Sequence, residues 1–251
     1  HFPYNVPVIR QLGTLEFPTP ITFFVGENGS GKSTVLEAIA AAASLPTIGA
    51  ADTETDPTLQ ELRKLSRLLQ WSWSKRTRTG FFMRSEDFFG FAKRTAQQAA
   101  EMRQELESDE GHEGQSAFAQ QLATMPYARE YRALRELYGD GLDAQSHGES
   151  YFKLFRARFR PGGLYLMDEP EAPLSPNRQL TLLALLQQMV QQDAQFIIAT
   201  HSPIILAYPG ATIYNFEDGR ITIARYNDLE HVTITRDFLN NPQAYLRHLL
   251  E

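Results

Sequence analysis

Short apolar runs recur along the chain, and most give way to a polar turn and then a helical pattern. Residues 21–25 read ITFFV, β-branched and aromatic, and a Gly-rich turn follows. KSTVLEAIAAAA then predicts a helix from Lys32, rich in alanine, with Leu36 and Ile39 on one face. Residues 46–58 read as a polar loop, and the leucine spacing of LQELRKLSRLLQ predicts a helix over 59–70. TRTGFFMRSEDFF, 77–89, predicts a strand with an irregular exit. Residues 91–140 are helical in composition, polar almost all round at first, with a mobile joint expected near Asp109–Gly114. YFKLFRARF, 151–159, predicts another helix, and GGLYLMDEP, 162–170, a buried strand running into acids. An amphipathic helix over 178–192 and a buried strand with a polar exit over 195–203 follow. The last pattern, 211–226, is two strands about the Asp218-Gly219 turn.

Buried strands that each end in a polar loop imply a mostly parallel sheet with helices on its faces. Ligands of such sheets sit at the carboxyl ends of the strands, where the polar motifs of this chain fall. The expected organisation is an α/β core formed by 1–90 and 145–251, interrupted by a helical insertion at 91–144.

Composition narrows this picture without redirecting it. The 251 residues are 42% hydrophobic and 22% charged, the balance of an ordinary globular protein. A formal charge of −6 argues against coating nucleic acid by bulk electrostatics, while leaving room for a local basic patch. With no cysteine, thiolate chemistry and disulfides are excluded, and a reducing compartment is the easier expectation. No apolar run is long enough to span a bilayer, and HFPYNVPVIRQ lacks the regions of a signal peptide. A cytoplasmic protein is expected.

The turn after the first strand, GENGSGKST, fits G-x-x-x-x-G-K-S with Gly26, Gly31, Lys32 and Ser33. Its backbone N–H groups, from Gly26 through Asn28, Gly29, Ser30 and Gly31 to Thr34, suit a phosphate cradle, and the helix adds its positive end. Lys32 would reach the β- and γ-phosphates, and Ser33 would offer its hydroxyl to Mg2+. The ligand implied is a nucleoside triphosphate, ATP first. Such a loop works with a second strand ending in acid, and LYLMDEP supplies one. Asp168 would hold Mg2+ through water, and Glu169 would polarise the attacking water. His201 ends the next apolar strand, where a sensor of the γ-phosphate would sit.

In this order the pieces resemble the ATP-binding-cassette ATPase superfamily. That family carries a signature segment, Leu-Ser-Gly-Gly-Gln, ahead of the acidic strand. QSHGES occupies the place, with Ser146 and Gly148 matching and Gln145, His147 and Glu149 departing. The resemblance implies that Ser146 and Gly148 cap the γ-phosphate held by a second copy, in an ATP-dependent head-to-tail homodimer. After the acid strand transporter subunits read D-E-P-T-x-x-L-D, where this chain reads DEPEAPLSP. With ATHSP, that is more similar to the SMC, RecF and overcoming-lysogenization-defect ATPases. The fold implied is a P-loop ABC-type ATPase head with a mostly parallel sheet, a small β subdomain and a helical insertion. The activity implied is ATP hydrolysis that drives a nucleic-acid or partner-protein transaction. A transporter motor is the alternative, and a non-hydrolysing switch a third reading.

Three further assignments stay open at this level. Tyr4, with Phe2 nearby, is either the aromatic that stacks on adenine or a core residue. The family's glutamine loop has no glutamine in GFFMRSEDF, so Glu86 or Arg84 stands in for it, Glu86 as a metal ligand. Residues 63–84 hold seven Lys and Arg with no acid between them, and Trp71 and Trp73 are interleaved. They read as contacts to nucleic acid or nucleotide, or as a solvated basic face over core tryptophans.

Overall fold

A computed structural model describes residues 1–48, 60–107, 125, 128–129, 132 and 147–250. Backbone contacts divide the chain into two compact units, His1–Thr47 with Ala51–Ser85 and Arg160–Glu251, and Ile48–Ala50 with Glu86–Phe159.

The first unit is built on a six-stranded sheet of order β2-β3-β4-β1-β5-β6. Its strands are β1 (Ile21–Gly26), β2 (Gly80–Arg84), β3 (Leu164–Asp168), β4 (Gln195–Ala199), β5 (Thr212–Glu217) and β6 (Arg220–Ile223). All neighbours run parallel except β6, which returns antiparallel to β5 through Asp218-Gly219. The strands of the described residues thus form one sheet, and the small β subdomain read from sequence takes the form of this hairpin on the sheet's edge. The reason is the β5 register on β1, Thr22 opposite Thr212 through Gly26 opposite Phe216, which commits the hairpin to the main sheet.

The continuous apolar runs are explained by burial on both faces. Ile21 to Val25 in β1, Leu164 to Met167 in β3 and Phe196 to Ala199 in β4 are all buried. Helix α2 (Lys32–Ala43) lays Val35, Leu36, Ile39, Ala40 and Ala43 against Phe24, Phe82, Leu166, Ile197 and Phe216. Side chains such as Leu36 and Ile39 stabilise by about 1.5–3 kcal/mol each when fully buried. Helix α1 (Pro7–Arg10) adds Val8 to the same core, and α3 (Gln60–Leu68) packs Leu62 and Leu65 on Ala38. Among the described residues no helix is long and apolar enough to cross a membrane.

The exit from β2 differs from the sequence reading. It is not irregular: α4 (Ser85–Glu107) starts at the residue after Arg84. Glu86 and Asp87 in its first turn suit the positive end of the helix, and this local preference outweighs the expected loop. From Glu86 on, α4 belongs to the second unit, with α5 (His147–Arg158). That unit is held by an aromatic series, Phe88 to Tyr151 at 4.4 Å, Tyr151 to Phe155 at 4.7 Å and Phe155 to Phe159 at 5.1 Å between ring centres. The expected joint at 109–114 lies outside the described residues.

The remaining helices belong to the first unit: α6 (Pro176–Val190), α7 (Pro203–Leu206), α8 (Glu230–Asn240) and α9 (Pro242–Leu250). Of these, α7, α8 and α9 were not foreseen.

Candidate nucleotide site

The sheet order sets β4 between β1 and β3. Phe24 and Asp168 both stand opposite Ala199, so three adjacent strands end level with one another. Their exits carry the phosphate loop, the Asp168-Glu169 turn and His201. With about 4.8 Å between neighbouring strands, these groups share one edge roughly 10 Å wide.

The loop takes its shape from glycine. Gly26 ends β1 at φ 139°, and Gly31 precedes α2 at φ 101°, both barred to ordinary side chains. A Cβ on Gly31 would lie 2.5 Å from Val8 Cγ1, because the segment of α1 leans on the loop. Gly31 leaves the first N–H groups of α2 without a side-chain cap, which suits them to an anion. Lys32 folds back, its Nζ donating to the carbonyls of Gly26 at 2.7 Å and Glu27 at 2.9 Å. Burial lowers its pKa, while Asp168, Glu169 and Glu171 pull it the other way. Asn28, Gly29 and Ser33 are exposed, Ser30 is half-buried, and Thr34 is buried.

Across the edge the Ser33 side chain lies near enough to the Asp168 carboxylate to favour its charged form. Burial raises the Asp168 pKa, and Glu169 adds to the rise, against the pull of Ser33, Lys32 and Arg84. Glu169 leaves β3 at φ 51°, in the left-handed region, while its N–H still reaches the Ala199 carbonyl at 2.9 Å. Strain of this kind on a non-glycine residue aims a side chain away from the strand path. The Glu169 Oε1 lies 3.8 Å from His201 Nε2. Burial lowers the His201 pKa, with Lys32 adding to it and Glu169 opposing.

Two residues that hold this edge together were not singled out for it by the sequence. Glu171 accepts the His201 backbone N–H at 2.7 Å; burial raises its pKa, with the Thr200 side chain opposing the rise. In the sequence Glu171 stands out only as a departure from the transporter pattern. Ser85 donates to the Asp168 carbonyl at 3.1 Å and to the Glu169 carbonyl. No sequence signal marks Ser85, since its role depends on β2 lying beside β3.

The other candidates divide as follows. Arg84 Nε donates to Glu37 Oε1 at 2.7 Å and the guanidinium lies 5.3 Å from the Phe82 ring centre, so Arg84 ties β2 to α2. Glu86 is exposed in the first turn of α4. Tyr4 is half-buried against Ala38, Leu62 and Leu65. Trp71 and Trp73 stack at 6.4 Å and pack on the main core, whereas Arg67, Lys75, Arg76 and Arg78 are exposed. Gly148 is in the first turn of α5, and Ser146 lies outside the described residues.

Ser33 and Asp168 could hold a magnesium ion together with phosphate oxygens. Such an ion keeps waters and takes only one or two protein ligands. That no group of three His, Asp or Glu converges among the described residues is compatible with it.

Two family models match the chain. Residues 5–47 match an AAA domain, and residues 142–207 match an AAA domain described with the AbiEii toxin and Type IV TA systems. No curated protein matches the sequence. Among solved structures the chain is similar to cbiO1 of Clostridium perfringens, part of the ABC transporter complex cbiONQ, at 17% identity. The match covers 92% of this chain and 86% of that one, with a TM-score of 0.43. It is also similar to an SMC head bound to the C-winged helix domain of ScpA, at 14% identity, 81% and 89% coverage and a TM-score of 0.43. A dimeric bacterial ABC transporter cassette gives 16% identity, 84% and 88% coverage and a TM-score of 0.42. The phosphate loop falls within the first AAA-domain match and Asp168, Glu169 and His201 within the second, so both halves of the site resemble AAA domains.

Proposed function

We propose that this chain binds ATP with Mg2+ and hydrolyses it, in a site that a second copy completes. The observation that carries the reading is that Phe24 of β1 and Asp168 of β3 both stand opposite Ala199 of β4, which brings the phosphate loop and the acid strand to one edge. Ser33 and Asp168 would hold Mg2+, and the ion would offset phosphate charge when bound. Glu86 is a further candidate ligand. Lys32 exchanges the Gly26 and Glu27 carbonyls for phosphate oxygens. The N–H groups of residues 28–34 receive the remaining charge. Glu169 orients the attacking water and His201 hydrogen-bonds to the γ-phosphate, so that positioned charge lowers the barrier. Tyr4 is the aromatic offered to adenine.

In this reading 91–144 is a helical insertion on a core of 1–90 and 145–251. Ser146 and Gly148 cap the γ-phosphate of the other copy. ATP holds the pair closed and hydrolysis releases it, because only the triphosphate bridges both halves. The closed pair acts on a nucleic acid or a partner protein.

The test is the solution mass of Glu169→Gln with and without ATP and Mg2+, beside the wild-type hydrolysis rate. A dimer that forms only with ATP supports the shared site. A variant that stays monomeric while the wild type hydrolyses ATP removes the trans role of Ser146 and Gly148. A wild type that neither binds nor hydrolyses ATP removes the reading itself.

A further inference from the structure

The segment that follows the acid turn holds the switch segment at two successive residues. Glu171 accepts the His201 backbone N–H at 2.7 Å, and one residue further on the Ser202 hydroxyl donates to Gln179 Oε1. Gln179 stands half-buried near the start of α6, and its Nε2 donates to the Leu174 carbonyl at 3.1 Å. A carbonyl only accepts, so the amide is fixed with its nitrogen towards Leu174 and its oxygen towards Ser202. Leu174 in turn donates its N–H to the Glu171 carbonyl at 2.8 Å, so Glu171, Leu174 and Gln179 make one hydrogen-bonded frame. On the other side Ser202 is buried as the N-cap of α7. Its oxygen accepts the N–H groups of Ile204 and Ile205 at 3.2 Å each, which leaves the hydroxyl proton for Gln179. The imidazole of His201, its Nε2 3.8 Å from Glu169 Oε1, is carried between these two fastenings.

We propose that Gln179 is a positioning residue for His201: by accepting the Ser202 hydroxyl it fixes the backbone one residue beyond the imidazole, as Glu171 fixes it at the imidazole itself. The inference rests on the reading of this edge as a site of ATP hydrolysis with His201 at the γ-phosphate. With one fastening alone the chain can pivot, and the imidazole swings relative to the Glu169 carboxylate. With both in place, the acid turn and the imidazole keep a fixed relation. Gln179 makes its hydrogen bonds outside the phosphate loop, so its effect falls on turnover and not on ATP binding. In the sequence it reads as one more polar position of an amphipathic helix, because its partner lies 23 residues further along the chain.

The test is steady-state hydrolysis of ATP with Mg2+ by the full chain. Wild type, Gln179→Met, Gln179→Glu, His201→Ala and Gln179→Met combined with His201→Ala are compared. Gln179→Met keeps the length of the side chain and only a weak acceptor. It should lower kcat about tenfold and leave KM within about twofold, as for a slight misplacement of a group at the reacting phosphate. Gln179→Glu keeps an acceptor oxygen and should recover most of kcat. Added to His201→Ala, Gln179→Met should lower the remaining activity by less than about twofold, since it acts through the imidazole. The thermal melt of each variant establishes that it is folded; if Gln179→Met does not fold, Gln179→Ala takes its place. An unchanged kcat, a KM rise at constant kcat, no recovery by Gln179→Glu, or a loss as large on His201→Ala as on wild type overturns the role of Gln179, while wild-type turnover upholds the ATP reading. A wild type that does not hydrolyse ATP overturns that reading and this inference with it.

Discussion

The Glu171 carboxylate accepts the backbone N–H of His201 at 2.7 Å. A side chain from the turn after β3 thus sets the direction in which the chain leaves β4. The expected consequence is a positioning role. Glu171→Ala should lower kcat roughly 10²-fold, the effect of displacing a reacting group by about an ångström. The KM for ATP should hardly move, because the phosphate loop is untouched. Glu171→Gln keeps a carbonyl acceptor and should be milder. A KM rise at constant kcat would contradict this and make Glu171 a ground-state binding residue.

Gly26 and Gly29 test the loop in different ways. Both have positive φ, 139° and 80°. A Cβ on Gly26 would come 2.3 Å from the Phe216 carbonyl oxygen, which belongs to the backbone of β5. A Cβ on Gly29 would meet nothing within 4 Å. Gly29→Ala should therefore cost only the left-handed strain, about 1–2 kcal/mol. Gly26→Ala must also displace a paired strand and should cost clearly more in a denaturant melt. Equal losses would mean that the β1–β5 pairing yields easily.

These two glycines also illustrate why the site was largely legible in the sequence. Gly26, Gly31, Lys32 and Ser33 sit at fixed spacing within one turn, and their chemistry follows from that spacing. Asp168, Glu169 and His201 were legible because each ends an apolar run, which fixes it at a strand's carboxyl edge. Glu171 and Ser85 were not. Their partners lie 30 and 83 residues away along the chain, through contacts that exist only once β3 lies between β2 and β4. The helix after Arg84 was missed for a local reason: the junction has no glycine or proline to mark it. The C-terminal helices α8 and α9 carry a weaker pattern than the strands, and exposed Ile234 and Leu239 on α8, with Tyr245 and Leu246 on α9, blur the apolar face.

Arg84 and Glu37 form a largely buried ion pair, each side chain 13% exposed. Removing one partner leaves the other charge without its main counterion. Arg84→Ala should cost about 3–5 kcal/mol in a chemical melt, and Arg84→Ala with Glu37→Ala less than the sum of the singles. The measurement also separates two readings of Arg84. Loss of stability with ATP affinity retained assigns it to the β2–α2 joint. Loss of Mg2+-dependent ATP affinity with little change in stability would return it to the glutamine-loop role.

Two histidines predict how stability depends on pH. Burial lowers the pKa of His201 and of His231 from an ordinary 6.5, with Lys32 adding to both and His201 adding to His231. Between the folded values and 6.5 the unfolded chain binds more protons, so stability rises with pH there. This contribution is complete above 6.5 and is lost as the pH falls through the folded values. Asp168 and Glu171 act in the opposite sense. Their pKa values are raised from 3.8 and 4.5, so the cost of burying their charge is relieved on acidification. The wild-type slope is a sum of both, and the histidine part is isolated by difference. His201→Gln with His231→Gln should flatten the fall in melting temperature between about pH 7.5 and pH 6 relative to wild type. Bound ATP should flatten it too in the wild type, because phosphate charge beside the His201 imidazole favours its protonated form. An unchanged slope in the double variant would mean that neither imidazole is held neutral in the folded chain.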